Sequence, residues 1–271
     1  MVIKKYLSPK SVDKYVNYGG TNYISITLNP MLTVAFNLVT LHRGNILQFR
    51  EDGYYDNITV KHCYEIGKIM AKMQIEALDF DVKRENDMSV ADFREYFSKY
   101  SNFLCDKEVN CPFEIEQGVG DESLYSEISK AIGYLEKNWR SDLPKGISHL
   151  DLFPDNVFFN ESQEVSGVID FYFAGSDILV YDLAIIINAW CFDENNQFVQ
   201  EKYDAMLKGY EEVRELTKEE KESLPVALIA GSVRFLSTRI HDMFHTPKDS
   251  LVKLKDPREY LEKLRFFSSQ A

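Results

Sequence analysis

One segment, residues 146–171, constrains the fold of this chain more than any other. It reads GISHLDLFPDNVFFNESQEVSGVIDF. Two β-rich runs in it are separated by the polar link NESQEVSG, a pattern that predicts a β-hairpin. Asp151 and Asn156 come before the first run, and Asp170 comes at the end of the second. Because a hairpin brings strand ends together, we expect these three side chains to converge.

These three side chains are the set that phosphoryl transfer from a nucleotide requires. One carboxylate orients the attacking hydroxyl and accepts its proton, while an amide and a second carboxylate hold magnesium against the phosphates. Magnesium keeps several waters, so Asn156 and Asp170 would suffice as its protein ligands. Asp151 is then the candidate catalytic base. We expect His149, the other candidate catalytic residue, to position the loop by hydrogen bonding rather than to react.

The run HLDLFPDN followed by VIDF resembles the catalytic loop and metal-binding Asp of the aminoglycoside phosphotransferase and choline kinase superfamily. More narrowly, the resemblance is to its bacterial homoserine kinase branch, and it covers roughly residues 57 to 267. The segments that carry it are HLDLFPDNVFF, GVIDFYFAGSDILVYDLAIIINAWCF, RFLSTRIHD and KDPREYLEKLRF.

This resemblance implies a fold and an activity. The implied fold is α+β and bilobal, like that of protein kinases, with a reduced β-rich N-terminal lobe and a mainly α-helical C-terminal lobe. The implied reaction is ATP- and Mg²⁺-dependent phosphorylation of L-homoserine to O-phospho-L-homoserine, a step of threonine biosynthesis.

The resemblance also implies two domains, a shortened nucleotide lobe with its hinge over residues 1–53 and a catalytic and substrate lobe over residues 54–271. In the family, a loop ending in a similar Asn-Tyr pair covers the nucleotide phosphates, which makes Asn22 a candidate nucleotide contact. A plain hairpin turn is the alternative for this stretch. Residues 45–53 resemble the last strand of the lobe and the adenine hinge, with Gln48 and Phe49 as candidates.

The region between Leu28 and Leu41 departs from the family pattern. A kinase-like N-terminal lobe needs a Lys for the nucleotide phosphates and an acidic partner for that Lys. This region contains no Lys, Glu or Asp. The departure raises a different hypothesis, a kinase-fold protein that has lost catalysis.

Three residues are candidates for the acceptor pocket. By resemblance, Arg84 and Asn86 belong to a segment that lies over the acceptor, although solvated charge is the competing interpretation of this polar stretch. Arg234 lies on a predicted helix, and a planar guanidinium matches a carboxylate with two hydrogen bonds. A structural ion pair between this helix's arginines and Asp242 is the alternative. Asp182 resembles a family residue that braces the catalytic loop, and a buried carboxylate needs a partner.

Hydrophobic periodicity predicts the helical part of the chain. The first helix is expected over residues 59–78, with Thr59 as its N-cap and His62 on its surface. Further helices are expected over residues 90–104, 122–138, 195–212 and 224–241, and after Asp256-Pro257. The run after Asp170 should begin as a turn and become a helix.

Composition narrows the class of protein. A net charge of −12 over 271 residues argues against a nucleic-acid partner and against an anionic membrane surface. The four cysteines form no CxxC pair, which favours reduced thiols. The start of the chain lacks the apolar region of a secretory signal. We therefore expect a cytoplasmic protein with a small-molecule, amino-acid substrate, whose oligomeric state the sequence does not determine.

A second enzyme hypothesis keeps the chemistry and changes the acceptor. An aminoglycoside, choline or a related alcohol would use the same three side chains. Only the acceptor pocket distinguishes these substrates from homoserine.

Overall fold

The computed structural model describes residues 58–80, 84–101, 124–246 and 254–271, together with the backbone of three short strands nearer the start of the chain. Two of the predicted nucleotide contacts, Gln48 and Phe49, lie outside the described residues, as does the side chain of Asn22. The predicted domain boundary at residue 53 also falls outside them, so these assignments stay predictions.

The described residues form two compact units. The first is drawn from residues 1–86 and 144–216, and the second from residues 87–143 and 217–271. The strands of the first unit, in chain order, are β1 (Tyr15–Tyr18), β2 (Thr21–Ile24), β3 (Asn45–Ile46), β4 (Lys145–Ser148), β5 (Val157–Phe159), β6 (Val165–Val168) and β7 (Gly175–Ile178). The helices of the described residues are α1 (Val60–Glu76), α2 (Phe93–Ser98), α3 (Leu124–Asn138), α4 (Leu179–Trp190), α5 (Gln200–Glu211), α6 (Lys218–His245) and α7 (Arg258–Ser268).

The predicted hairpin is confirmed. Strands β5 and β6 pair antiparallel, with Val157 opposite Val168 and Phe158 opposite Gly167. Strand β3 pairs antiparallel with the other edge of β5, which gives the order β3-β5-β6. Strands β1 and β2 form a separate antiparallel pair.

A second strand pair frames the hairpin segment, and the sequence did not predict it. Strand β4 pairs antiparallel with β7, so that Ser148 lies opposite Gly175 and Lys145 lies opposite Ile178. The run after Asp170 therefore forms a short 3-10 turn, Phe171–Phe173, and a strand before helix α4 begins. The strand β4 leads directly into His149, and β7 follows Asp170 closely.

Helix α1 begins with a reciprocal cap. The Thr59 hydroxyl accepts a hydrogen bond from the His62 amide at 3.2 Å, and the His62 Nδ1 accepts one from the Thr59 amide at 3.2 Å. The Thr59 cap was predicted. The surface position predicted for His62 is wrong, because the ring is buried and lies 4.4 Å from the ring of Phe159.

Helices α1 and α5 pack with almost no space between their backbones. A Cβ atom on Gly67 would lie 2.1 Å from the Met206 carbonyl oxygen, and one on Gly209 would lie 2.0 Å from the Tyr64 carbonyl oxygen. Only glycine permits this approach at both positions. Helix α4 follows β7 and is buried along most of its length, including Asp182.

In the second unit, the apolar stripes predicted from periodicity are confirmed. Leu124, Ile128, Ile132 and Leu135 of α3 are buried, as are Tyr260, Leu261, Leu264 and Phe267 of α7. Helix α6 is longer than predicted and begins at Lys218, behind a capping box formed by Thr217 and Glu220. The predicted helix over residues 90–104 is a 3-10 turn, Val90–Asp92, followed by α2, and residues 102–104 lie outside the described part.

Three charged side chains join α6 and α7. The Glu259 carboxylate accepts hydrogen bonds from Arg239 at 2.7 Å and from Lys263 at 2.5 Å. Side-chain exposures are 19% for Glu259, 7% for Arg239 and 2% for Lys263. Burial alone would raise the pKa of Glu259, but Lys263 and Arg239 lower it to about 2. The ion pair of Arg239 is thus with Glu259, and not with the Asp242 that the sequence offered.

Within the described ranges, no helix has the length and apolar character needed to cross a bilayer.

Candidate active site

The loop between β4 and β5 is held by a buried carboxylate. The amides of His149 and Leu150 each donate to one oxygen of Asp182, both at 2.8 Å. Leu150 has a φ of 62°, a left-handed conformation that is uncommon for a residue with a branched side chain. Asp182 lies in the first turn of α4, so this helix fixes the start of the loop.

His149 joins this loop to the segment that carries Asp170. Its Nε2 lies 3.0 Å from the Ile169 carbonyl oxygen, so this nitrogen carries the proton and donates. The ring is buried and lies 4.6 Å from the ring of Phe171. These contacts suit a positioning role, because the Nε2 proton is engaged by a main-chain carbonyl.

Asn156 is hydrogen-bonded within the loop and to the returning strand. Its side-chain Nδ2 donates to the Asp151 carbonyl oxygen at 2.8 Å, and its own carbonyl oxygen accepts from the Ile169 amide at 2.9 Å. The short 3-10 turn Pro154–Asn156 brings the residue to this position. The hydrogen bond to Asp151 uses the amide nitrogen of Asn156, whereas a metal ion would be bound by the amide oxygen.

Asp170 follows the last strand of the hairpin with left-handed backbone angles, φ 62° and ψ 61°. Its Oδ1 accepts a hydrogen bond from the Tyr172 amide at 3.4 Å. Asp151, Asn156 and Asp170 are all half-buried. The Ile169 amide donates to the Asn156 carbonyl oxygen, and the Ile169 carbonyl oxygen accepts from His149. The residue immediately before Asp170 is therefore hydrogen-bonded to both Asn156 and His149.

The donor chemistry of this cluster fits magnesium. An amide oxygen and a carboxylate oxygen are hard ligands of the kind magnesium takes, with water and phosphate completing the shell. Asn156 and Asp170 supply one of each. A group of three or more His, Cys, Asp or Glu side chains able to hold a metal is not present among the described residues.

Arg84 and Asn86 lie on a short segment that packs beside β7. The Arg84 guanidinium donates to the Tyr172 carbonyl oxygen and lies 5.9 Å from the centre of the Tyr172 ring. The Asn86 side chain is buried, and its Nδ2 donates to Asp177 at 2.6 Å. The segment thus reaches the residues immediately after Asp170.

Residues 59–216, more than half of the chain, match the model described as the phosphotransferase enzyme family. The chain belongs to this phosphotransferase family. The matched residues contain the catalytic-loop segment, the hairpin and the segment at Arg84.

Individual relatives are similar over much of the chain. It is 41% identical over 226 residues to a homoserine kinase of Paramagnetospirillum magneticum, covering 82% of this chain and 65% of the relative. It is 42% identical over 221 residues to a homoserine kinase of Agrobacterium fabrum, covering 82% of this chain and 64% of the relative. The chain therefore spans a little less than two thirds of the length of these relatives.

Solved structures establish the fold class. The chain superposes on an ethanolamine kinase from Plasmodium vivax with a TM-score of 0.55 at 15% identity, covering 85% of this chain and 66% of the other. A choline kinase from Streptococcus pneumoniae gives a TM-score of 0.53 at 15% identity, covering 85% and 69%. The predicted kinase-like α+β fold is confirmed, as is the predicted membership of this phosphotransferase family.

Arg234, the third acceptor candidate, lies in the second unit. Its guanidinium is almost fully buried, donates to the Met88 carbonyl oxygen at 3.0 Å and lies 5.8 Å from the centre of the Phe235 ring. These contacts fix the guanidinium on α6. The role of this residue toward a substrate stays a prediction.

Sequence reasoning did not single out Asp177, which contacts the segment of Arg84 and Asn86. Its carboxylate accepts from Asn86 and from the Ile178 amide, at 2.6 Å and 2.7 Å. The signal available in the sequence was the polar sequence Gly-Ser-Asp at residues 175–177, which interrupts two apolar runs.

Proposed function

We propose that this chain carries out the ATP- and Mg²⁺-dependent phosphorylation of L-homoserine to O-phospho-L-homoserine. The identity of about 40% to homoserine kinases supports the acceptor. The observation that carries the chemistry is the hydrogen-bonded cluster of the catalytic loop, in which Asn156 binds the Asp151 carbonyl and Ile169 joins Asn156 to His149.

In this proposal Asp151 accepts the proton of the acceptor hydroxyl as the hydroxyl oxygen attacks the terminal phosphorus of ATP. The bond between that phosphorus and the bridging oxygen breaks, and ADP leaves with the bond's electron pair. Asn156 and Asp170 hold Mg²⁺, which supplies charge neutralisation of the phosphates when bound. Asp182 and His149 contact no substrate and act by fixing the loop. The result is a base held still beside the acceptor, the main contribution a protein can make to phosphoryl transfer.

We assign nucleotide binding to residues 1–53, in which Asn22 would contact the phosphates and Gln48 and Phe49 the adenine. These positions rest on the resemblance of their segments to the family. Changing Asn22 should raise the KM for ATP and leave the KM for homoserine unchanged, whereas the reverse would remove Asn22 from the nucleotide site.

We assign binding of the acceptor to Arg84, Asn86 and Arg234. An amino-acid acceptor carries a carboxylate, and arginine is the side chain best suited to bind it. Arg84 is half-exposed beside Tyr172. We further propose that the reaction takes place in the cytoplasm, where ATP and free amino acids are found.

The direct test is a coupled assay with purified chain, Mg-ATP and L-homoserine, in which ADP and O-phosphohomoserine are both quantified. Asp151→Asn should lower kcat by about 10²- to 10⁴-fold, since the base is lost. Asp155→Asn is a matched control, because Asp155 lies in the same loop and is half-buried, and it should retain nearly full activity. An Asp151→Asn enzyme as fast as the wild type would remove Asp151 from the mechanism.

Two further outcomes would overturn the proposal in different ways. An acceptor panel containing choline and an aminoglycoside would reassign the substrate if either is used in preference to homoserine. Calorimetry with Mg-ATP separates a changed acceptor from lost catalysis, because a chain that binds no nucleotide and transfers no phosphate would be a degenerate member of the family.

A further inference from the structure

The segment of Arg84, Glu85 and Asn86 is joined to the edge of β7 by an isolated β-bridge. The Ser176 amide donates to the Arg84 carbonyl oxygen at 2.6 Å, and Glu85 forms a parallel bridge with Ser176. A Cβ atom on Gly175 would lie 3.1 Å from the Arg84 carbonyl oxygen, so the two backbones are in close contact. Main-chain contacts therefore hold Arg84 and Glu85 against β7.

A side-chain hydrogen bond holds Asn86, the last residue of the segment, against Asp177 of β7. The Asn86 Nδ2 donates to Asp177 Oδ2 at 2.6 Å, and the Asp177 Oδ1 accepts from the Ile178 amide at 2.7 Å. Both carboxylate oxygens are thus engaged, which holds Asp177 in one orientation. Asn86 is 8% exposed. We call the Asn86–Asp177 pair the latch.

The latch is connected to the candidate site on two sides. Strand β7 pairs with β4, whose last residue Ser148 precedes the catalytic loop and lies opposite Gly175. On the other side, Arg84 donates to the carbonyl oxygen of Tyr172, the residue whose amide donates to Asp170. A segment that is free to move off β7 would move Arg84 relative to Asp170.

We infer that Asp177 is a positioning residue for the acceptor, acting through Asn86 to hold the segment of Arg84 at one place beside β7. The inference rests on the proposed function, because Arg84 is assigned there to the acceptor. It makes Asn86 part of the support of the pocket, and it makes Asp177 the residue on which acceptor affinity depends without direct contact.

Exchanging the two side chains tests the inference. Asn86→Asp alone places two carboxylates at hydrogen-bond distance, so the acceptor KM should rise about tenfold or more. The KM for ATP should change less than about threefold, because nucleotide binding is assigned to other residues. Adding Asp177→Asn recreates a carboxylate-amide pair, in which the new amide donates to the carboxylate introduced at position 86 and its oxygen accepts from Ile178. The double variant should recover most of the acceptor affinity.

Asn195→Asp is the control for added charge, since Asn195 is exposed in the same unit and the substitution adds the same negative charge. Its acceptor KM should equal that of the wild type. An unchanged acceptor KM in Asn86→Asp, or a raised KM that Asp177→Asn does not lower, would overturn the positioning role.

Hydrogen exchange without substrates separates this inference from the proposed function. Peptides covering residues 84–86 and 175–178 should exchange faster in Asn86→Asp and return to the wild-type rate in the double variant. If the wild-type chain does not phosphorylate homoserine, the proposed function is wrong. The exchange rates would then be the test of the latch. Equal exchange in all variants would rule out the latch.

Discussion

Two carboxylates largely removed from water, Asp182 in the first unit and Glu259 in the second, show different solutions to the same energetic problem. Asp182 is bound by two main-chain amides of the catalytic loop. Glu259 is bound by the side chains of Arg239 and Lys263. Each carboxylate would be costly to bury alone, and each is satisfied by hydrogen-bond donors.

The difference lies in what each carboxylate holds in place. Amide donors belong to the loop itself, so Asp182 fixes the backbone that carries His149 and Asp151. Cationic donors belong to two packed helices, so Glu259 fixes α7 against α6. We therefore expect loss of Asp182 to be seen mainly in activity and loss of Glu259 mainly in stability.

The largest expected effect is on stability at Glu259. In Glu259→Gln two buried cations lose their carboxylate, which should lower the free energy of unfolding by about 3 kcal/mol or more. Denaturant unfolding measures the change. The exposed Glu262 on the same helix provides the control, because Glu262→Gln should shift the midpoint little.

The next largest effect is the loss of activity expected when Asp182 is replaced. In Asp182→Asn one loop amide faces an NH₂ group, which should cost roughly 1–3 kcal/mol of stability. The displaced loop should lower kcat about 100-fold, as small misplacements of catalytic groups do. Steady-state kinetics below the unfolding temperature provide the measurement. A variant that is less stable and fully active would contradict the contrast between the two carboxylates.

Lowering the pH should destabilise the protein chiefly by protonating Glu259. Its folded-state pKa of about 2 lies below the ordinary value of 4.5, so its stabilising contribution is full above pH 4.5 and is lost as the pH falls toward 2. The shift corresponds to roughly 3 kcal/mol in all. Unfolding measured between pH 6 and pH 3 should show a steeper loss of stability in the wild type than in Glu259→Gln. Parallel curves would mean that other carboxylates dominate acid unfolding.

The smallest effect is expected at an exposed ion pair of the second unit. Arg94 donates to Glu136 with two hydrogen bonds of 2.7 Å, yet both side chains are largely in solvent. Arg94→Ala should lower stability by less than about 1 kcal/mol, since water screens such pairs. A loss as large as that of Glu259→Gln would show that burial is not what separates the two ion pairs.

Local signals made much of the fold predictable. The hairpin was predictable because its two strands are separated by one short polar link, and α3 and α7 because their apolar residues recur on one face. The Thr59 cap was predictable from its position before the first apolar residue. These features depend on residues near one another in the chain.

Features that depend on distant residues were missed. Strand β7 pairs with β4, about 30 residues earlier in the chain, and has no alternating apolar pattern of its own. His62 is buried because the hairpin residue Phe159 covers it. The role of Asp177 depends on Asn86, a partner that only folding brings near. The bracing of the loop by Asp182 was predicted, and the amides of His149 and Leu150 confirm it. The hydrogen bond from Asn156 to the Asp151 carbonyl was not predicted, because it exists only in the folded loop.

The left-handed backbone of Leu150 has a consequence for how the protein becomes active. A leucine in a short peptide avoids this conformation, so local preference opposes the shape of the loop. The shape is maintained by the amide contacts to a helix that begins about 30 residues later. During refolding, catalytic competence should therefore be regained together with the docking of that helix and never ahead of it.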